Sequence, residues 1–420
     1  ISSYQSLGLW SSVNTPLLEG IVPGYVLAQL PNNKLAWETN TTLNLGIDLG
    51  FFNQRLIVTP EFYVNRSNNL LLKSKMPLSS GYEYMYRNIG STQNSGIDLT
   101  INSVNVDNKK FRWTTTLTLS HNKNEIISLS GEQSYLETSG WGYKQSDYLV
   151  AVGQPIGQMY GFKTVGLYQP DDFVTEDDGA GNMVFKMDAG KYILKEGVAK
   201  RANVDVKPGY WKFADTDDAN AGIIDDNDRQ VIGNATPLFY GGLNNSFVYK
   251  NFDISLFMNF SYGNDVLNAT KMFTSLFGWS NKNTLALNNA ANRWVTVGSD
   301  GLPLATPAAM NSVNQGKTVA QWDDMENGDQ VIHSWGVEDG SFLRIANLTV
   351  GYTLPKNILK KVFVENLRVY ASANNLYTFT NYTGFDPEVS TRNSSGTTPG
   401  VDWGAYPRSR AFVFGLSITF

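Results

Sequence analysis

An acidic stretch at residues 213–229 has the spacing closest to a chemical site, and its sequence is FADTDDANAGIIDDNDR. Calcium loops place oxygen ligands at alternate positions, a glycine at the sixth position and an acidic residue at the twelfth. With Gly222 as the sixth residue, Asp217 and Asp228 fall at the first and twelfth, but alanines occupy the third and fifth. The pattern therefore fits either a calcium site or a solvated acidic turn that orders a loop. The candidate calcium ligands are Asp215, Asp217, Asp226 and Asp228.

Aromatic residues in stretches without regular alternation form a second set of candidates. Aromatic rings stack on sugar rings or on apolar peptide side chains, and their polar tips suit either ligand. The alternative is that these rings pack loop against loop or belong to an aromatic girdle at a membrane interface. The candidate ligand-binding residues are Trp141, Tyr143, Trp279, Trp335 and Trp403.

Catalytic chemistry finds little support in the sequence. His121 and His333 are the only histidines, and without a third partner we expect both to be surface groups in loops. No Ser/His/Asp arrangement, nucleotide motif or phosphate-binding glycine loop is present, so we predict no enzyme activity. The absence of cysteine excludes a disulfide scaffold and a Cys-ligated metal. A net charge of −5 and the lack of a basic stripe argue against nucleic acid as a partner.

The elements that would position these residues are strands, because apolar and polar residues alternate along nine segments. Phe252, Ile254, Leu256, Met258 and Phe260 share one face in the most regular segment. Transmembrane barrel strands are about ten residues long, apolar toward lipid and polar toward the lumen. A mean hydropathy of −0.25 agrees with this class, because half of each strand and all long loops face water. No apolar run reaches the roughly 18 residues of a spanning helix. The sequence thus predicts an all-β, antiparallel transmembrane barrel.

Connection lengths predict the orientation of this sheet. Short connections near 51–55, 107–110, 250–251 and 355–366 alternate with long stretches at about 122–237, 263–340 and 380–407. Periplasmic turns are short and extracellular loops long in such barrels, so the C-terminus is expected in the periplasm. We expect residues 1–40 to be an extracellular loop, because apolar and polar residues do not alternate there over any lasting stretch. Helices are expected near Asp265–Leu276 and Leu285–Val295.

Several segments in register resemble the SusC/RagA family of TonB-linked outer-membrane transporters. They include FLRIANLTVGYTLP, LRVYASANNLYTFTNYTGFDPEV and YPRSRAFVFGLSITF near the C-terminus. Upstream, the family pattern is matched in the same order by KLAWETNTTLNLGIDLGFFNQRL, RNIGSTQNSGIDLTI, VGQPIGQMYGF and the stretch from Ile224 to Asn268. The resemblance covers nearly the whole chain, and its weight comes from many segments rather than from one.

The resemblance implies that the chain is the C-terminal part of a longer barrel of about 22 strands. The plug domain, the N-terminal strands and the TonB-contacting segment would lie outside this chain. Implied partners are TonB, outer-membrane lipid and a SusD-like surface lipoprotein, in a dimer of transporter–lipoprotein pairs. The implied function is import of a nutrient, foremost an oligosaccharide, across the outer membrane of a Gram-negative bacterium, with long loops extracellular. Alternatives are a peptide importer of the same family, a structural or adhesion barrel without transport, and a soluble carbohydrate-binding sandwich.

Overall fold

The computed structural model contains one large antiparallel sheet whose strands follow one another in chain order. It describes residues 6–17, 20–76, 78–82, 84–129, 133–141, 146–275, 284–289, 291–321, 331–359, 364–393 and 396–420. Nine strands form the path of the sheet, which confirms the predicted number, and Leu49–Phe51 continues β1 beside β2. These strands are β1 Thr39–Gly46, β2 Leu56–Lys75, β3 Tyr84–Asp107, β4 Phe111–Ser128, β5 Phe239–Tyr249, β6 Phe252–Tyr262, β7 Phe342–Thr353, β8 Asn366–Thr380 and β9 Ala411–Thr419.

The two faces of the sheet differ as the alternation predicts. Register pairing places Leu117, Leu243 and Leu256 on one face, and Leu348 of β7 continues the same row. Thr116, Asn244 and the neighbouring inward residues lie on the opposite, polar face. The apolar face carries exposed side chains such as Leu43 at 71% and Phe414 at 80%. Exposed apolar area on this scale marks a surface that is covered by something other than water.

Aromatic pairs flank the apolar face at both ends of the strands. At the short-turn end, Trp113 stacks on Phe247 with ring centroids 5.6 Å apart, and Phe252 lies 4.6 Å from Tyr352. At the other end, Phe239 stacks on Tyr262 at 5.0 Å, and Tyr377 packs on Phe379 at 4.7 Å. The eleven residues of β5 span roughly 25 Å at barrel tilt, which is the height of a lipid-facing band between two aromatic girdles.

Pro60 explains the one interruption in the first strand pair. Gly46 pairs with Glu61 and Leu49 with Val58, so the break in β1 lies opposite Thr59 and Pro60. Proline has no backbone N–H to donate to the ladder, and it is tolerated beside an interrupted strand. The Pro60 carbonyl still accepts the Ile47 N–H at 3.1 Å, so the two strands stay together across the break.

Several boundaries differ from the sequence-based expectations. Residues 1–40 contain a β-hairpin, Leu9–Leu17 with Gly20–Gln29, where a loop is expected. Strands β2 and β3 run well beyond their alternating parts, because they continue to pair as a projecting hairpin whose polar residues carry no periodic pattern. The two-residue turn at Lys250 and Asn251 is confirmed, with Lys250 at a φ of 54°.

The three long segments between β4 and β5, β6 and β7, and β8 and β9 all lie at the end of the sheet opposite the short turns. We call their described residues within 129–238, 263–341 and 381–410 the cap. Short strands, rather than irregular loop alone, build it. They are Ser134–Glu137, Tyr148–Ala151, Gln158–Gly161, Thr164–Leu167, Thr175–Asp177, Met183–Phe185, Met187–Asp188, Lys191–Tyr192, Lys200–Arg201, Trp211–Phe213, Ile223–Ile224, Gln230–Asn234, Asp265–Leu267 and Val337–Asp339.

Within the described residues, helices are few and short. The α-helices are α1 Ala269–Ser275, α2 Pro307–Asn314 and α3 Lys356–Leu359, and the 3₁₀ turns are Leu78–Ser80, Pro170–Asp172, Asp218–Asn220, Asp226–Asp228, Ala286–Asn288 and Ser334–Gly336. The first predicted helix is confirmed from Ala269 to Ser275, and Leu276 lies outside the described residues. Asp265–Leu267 is a strand, because it pairs with Val337–Asp339. The second predicted helix is reduced to the single turn at Ala286–Asn288. Across the described helices, none has the length and apolar character needed to cross a membrane.

Two hydrophobic cores lie in the cap and not in the sheet wall. The first includes Tyr168, Phe173, Tyr210, Trp211 and Trp294. The second includes Trp141, Tyr148, Met159, Leu267 and Val401. Each core joins residues far apart in sequence, so the cap is a folded body with its own apolar interior.

Candidate functional site: the polar face and the cap

Hydrogen bonds and ion pairs line the polar face of the sheet. Arg368 of β8 binds Asp253 of β6 through Nε to Oδ1 at 3.0 Å and NH2 to Oδ2 at 2.5 Å. Gly351 of β7 lies between them, and a Cβ at that position would sit 2.5 Å from the guanidinium. A glycine on the intervening strand therefore lets the two charged side chains meet.

Exposed rings interrupt this polar surface. Phe257 points to the polar face against Gly242, and it is 41% exposed. Tyr240, on the same face, is 45% exposed, whereas the Tyr63 hydroxyl donates to Asn122 Oδ1 at 3.0 Å. Solvent-exposed aromatic rings beside amide and hydroxyl groups can bind an amphipathic ligand such as a sugar or a peptide.

Most of the described candidate aromatics of the cap are packed against other residues. Trp141 is 2% exposed, and its Nε1 donates to Asp147 Oδ2 at 3.1 Å. Its ring lies 5.6 Å from Trp403, which also packs edge-on against Phe273 at 4.9 Å. Burial raises the pKa of Asp147, although hydrogen bonds from Ser139 and Trp141 oppose that effect. Trp141 and Trp403 thus join two of the long segments.

Trp335 lies between the two cores. The Lys271 ammonium lies over its ring, 4.1 Å from the ring centroid. Lys271 Nζ also donates a hydrogen bond to the Trp335 carbonyl at 3.0 Å. Tyr143 and Trp279 fall outside the described residues. A ligand-binding role for these candidate aromatics stays a prediction, and Tyr406, at 91% exposure, has the freest ring of the cap.

His333 is buried rather than at a loop surface, which corrects the expectation for this residue. Its side chain is 1% exposed and lies 5.0 Å from Trp211 and 5.3 Å from Phe213, measured between ring centroids. Its Nδ1 is 2.9 Å from Thr164 Oγ1. Burial, with smaller contributions from Arg201 and Lys271, lowers the pKa of His333 to about 3, so the imidazole is neutral at physiological pH. His121 is exposed, as expected, but it lies in strand β4 and not in a loop.

The acidic stretch is a folded turn organised by Asp228. This carboxylate is fully buried and accepts the backbone N–H groups of Thr216 at 2.6 Å, Asp217 at 2.9 Å and Asp225 at 2.8 Å. Burial alone would raise its pKa, but these amide hydrogen bonds outweigh burial and hold the pKa of Asp228 below its ordinary value.

The other acidic candidates also accept turn hydrogen bonds. Asp215 accepts the Gly222 N–H at 2.7 Å, and Asp217 accepts the Ala219 N–H at 3.0 Å. Asp226 is the first residue of a 3₁₀ turn. Among the residues whose placement is described, no group of three or more His, Cys, Asp or Glu side chains is arranged to hold a metal ion. Calcium binding by this segment stays a prediction.

A ring of four charges at the base of the last long segment was not predicted from the sequence. Arg344 of β7 binds Asp386 at 2.6 Å and Glu388 at 2.8 Å, and Arg408 binds the same two carboxylates at 3.1 and 3.0 Å. The Arg344 side chain is 2% exposed, and its Nε also donates to Thr378 of β8 at 3.1 Å. The signal in the sequence that could have indicated this ring is the set of charged residues in FDPEV and YPRSR, which lie on either side of the segment.

Comparison with known proteins connects this architecture to one receptor class. Residues 3–159 match the family model described as TonB dependent receptor-like, beta-barrel. The chain is 33% identical over its whole length to TonB-dependent receptor P3 of Formosa agariphila and 28% identical over 93% of its length to TonB-dependent receptor SusC of Bacteroides thetaiotaomicron. It covers 38% and 32% of those relatives, so it spans less than two fifths of their length.

A solved structure shows the same fold. The chain superposes over its full length on 39% of a chain of the RagAB peptide importer in the closed-closed state, with a TM-score of 0.70 and 23% identity. The open-open state gives a TM-score of 0.67 at 22% identity. The curated relatives, the barrel model and this fold agree with one another and with the two-faced sheet. The chain is therefore similar to SusC and other TonB-dependent receptors, and its sheet has the fold of part of a receptor β-barrel.

Proposed function

We propose that this chain supplies nine barrel strands of an outer-membrane transporter that imports an oligosaccharide with energy from a TonB-type partner. The observation that carries the proposal is the nine-stranded sheet, apolar between two aromatic girdles on one face and polar on the other. A wall of this kind suits a water-filled passage through lipid.

The remaining strands come from the rest of a longer receptor. An open sheet edge in lipid would leave backbone N–H and C=O groups without partners, so β1 and β9 must each pair with a further strand. The chain covers 38% of the P3 relative, which leaves ample sequence for those strands and for a plug that contacts TonB.

The cap faces the outside of the cell, and the C-terminus faces the periplasm. Support comes from connection length, because the turn at Lys250 and Asn251 has two residues while the cap segments are long. A SusD-like surface lipoprotein covers the cap. Two transporter–lipoprotein pairs form a dimer. The similarity to SusC supports this assembly.

Exposed aromatic rings on the polar face and in the cap favour an oligosaccharide as the nutrient. Tyr240 and Phe257 on the polar face and Phe385 and Tyr406 in the cap are each at least 41% exposed. Such rings stack on sugar faces without needing a charged partner. A peptide is the second candidate, because the solved structures with this fold are described as a peptide importer.

The test begins with the native receptor purified in detergent from outer membranes, followed by mass spectrometry of every co-purifying chain. We expect a longer receptor chain together with a surface lipoprotein. Uptake of labelled oligosaccharides and of labelled peptides is then measured in cells with and without the receptor. Loss of oligosaccharide uptake on deletion is the expected result, and loss of peptide uptake alone selects the second candidate. Unchanged uptake of both classes would contradict the import function.

A further inference from the structure

The last cap segment crosses from the sheet wall to the second core and returns to the wall. We call its described residues, 381–393 and 396–410, the strap. Both of its ends meet at the four-charge ring, because Asp386 and Glu388 lie near its start and Arg408 near its end. Arg344, which belongs to β7 and lies on the polar face, completes the ring. The buried arginine of the wall therefore holds the start of the strap directly, and Arg408 at its end binds the same two carboxylates.

The middle of the strap is built into the second cap segment. Leu267 donates its N–H to Gly400 at 2.9 Å and accepts the Asp402 N–H at 2.9 Å. Asp402 accepts the Thr270 N–H of α1 through its carbonyl at 3.0 Å, while its carboxylate accepts the Tyr382 hydroxyl at 2.6 Å. These bonds involve residues that are almost fully buried, including Leu267, Asp402 and Tyr382.

The same part of the strap also contacts the first cap segment. The Tyr148 hydroxyl donates to the Pro399 carbonyl, and Trp403 packs on Trp141. Tyr148 is fully buried, so this contact belongs to the second core and is not an edge contact. The strap thereby holds residues of the first and second long segments in one packed unit.

A third tie joins the beginning of the strap to the same unit. Thr383 donates its N–H and hydroxyl to Glu338, each at 2.8 Å, and Glu338 also binds Lys271 of α1 at 3.0 Å. The Lys271 and Glu338 side chains are only 13% and 11% exposed. If the strap opened, Glu338 would lose its hydrogen bonds from Thr383. Leu267 would lose its backbone hydrogen bonds with Gly400 and Asp402.

We propose that the four-charge ring is a catch, and that the cap moves away from the barrel wall as one unit only when this catch opens. While the ring is closed, Arg344 holds the strap, and the strap holds the other two cap segments. Removing Arg344 leaves Asp386 and Glu388 with half of their cationic partners, and Asp386 is buried. Losing one of its two cations destabilises the buried Asp386 carboxylate, so the catch would open and the strap would separate from the wall.

Hydrogen exchange with mass spectrometry on the complete receptor in detergent tests this proposal. The variant is Arg344→Met, and the matched control is Arg368→Met, which removes another ion-paired arginine from the same polar face but outside the ring. In Arg344→Met we expect exchange to rise by about tenfold or more in 386–393, in 399–404 and in α1 together, because opening of one cooperative unit exposes all its amides. Arg368→Met should leave these peptides at wild-type rates. Heat-modified migration of the barrel in gels checks that each variant is folded.

Two results would overturn the proposal. One is wild-type exchange in the strap of folded Arg344→Met. The other is a rise confined to 386–393 with no change in 399–404 and α1, which would make the ring a local tie. If Arg344→Met does not fold, Arg408→Met serves instead, because this arginine is 45% exposed and one cation of the ring remains. It should give a smaller rise with the same spatial pattern, and no rise at all would contradict the catch. The measurement depends neither on the nutrient nor on transport.

Discussion

Arg368 and Asp253 form a two-point ion pair although a complete strand separates β8 from β6. The pair spans β7 directly above Gly351, where any Cβ would contact both charged groups at about 2.5 Å. The role of this glycine is therefore to leave room for a contact between its two neighbours rather than to permit an unusual backbone conformation. Such a bridge ties three adjacent strands together on the polar face.

Replacing Gly351 by alanine should weaken this bridge. We expect Gly351→Ala to lower the free energy of unfolding by about 1 kcal/mol, which is the range for a partly exposed ion pair. Midpoints of heat-induced gel migration measure the change. In an Arg368→Met background the same substitution should be neutral or slightly stabilising, because alanine is favoured over glycine within strands. Equal losses in both backgrounds would contradict the explanation.

The acidic turn should lose order when Asp228 loses its charge. Its folded pKa is lowered, so its stabilisation is present above the unfolded value of about 3.9 and is lost as pH falls through the folded pKa. We expect Asp228→Asn to raise hydrogen exchange in 214–229 at pH 7, because the backbone N–H groups of Thr216 and Asp217 then face a weaker acceptor. Asp226→Asn is the matched control within the same turn.

Calcium can be separated from this effect by repeating the exchange measurement with calcium and with a chelator. If the amide bonds alone order the turn, the Asp228→Asn effect is the same in both conditions. An effect that appears only with calcium would instead establish the calcium site predicted from the spacing of the acidic residues.

His333 should make the cap sensitive to acid. The unfolded imidazole has a pKa near 6.5 and the buried one a pKa of about 3, so only the unfolded state binds the proton between these values. The unfolding free energy of the cap is therefore highest above pH 6.5 and decreases below it, by up to about 1.4 kcal/mol per pH unit.

The variant His333→Phe should remove this slope, although it also loses the hydrogen bond to Thr164. Urea unfolding of the cap between pH 4 and pH 7, followed by tryptophan fluorescence, measures the slope. His121→Phe is the control, because it removes the other histidine from an exposed position outside the cap. A slope that survives in His333→Phe would contradict the assignment.

The sheet was predictable from sequence because lipid and water impose opposite demands on alternate residues. The apolar Leu256 and the polar Ser255 can be assigned to opposite faces from their residue types alone. The turn at Lys250 can be located because only two residues separate two runs of alternating residues. The cap was not predictable, because its strands are two to five residues long and carry no period. Its decisive contacts join distant residues such as Tyr148 and Pro399, which are 251 positions apart. Burial of His333 and of Arg344 depends on such contacts.

The most direct test of the account is a pair of arginine substitutions at neighbouring positions in the middle of β6. Leu256 lies on the apolar face and Ser255 on the polar face at nearly the same depth. In the complete receptor, refolded into lipid, the unfolding free energy of each variant is compared with that of the wild type. We expect Leu256→Arg to lose about 2–4 kcal/mol, because a charge then faces the bilayer midplane, and Ser255→Arg to lose less than about 1 kcal/mol. A larger loss for Ser255→Arg than for Leu256→Arg would contradict the assignment of the apolar face to lipid and the polar face to the passage.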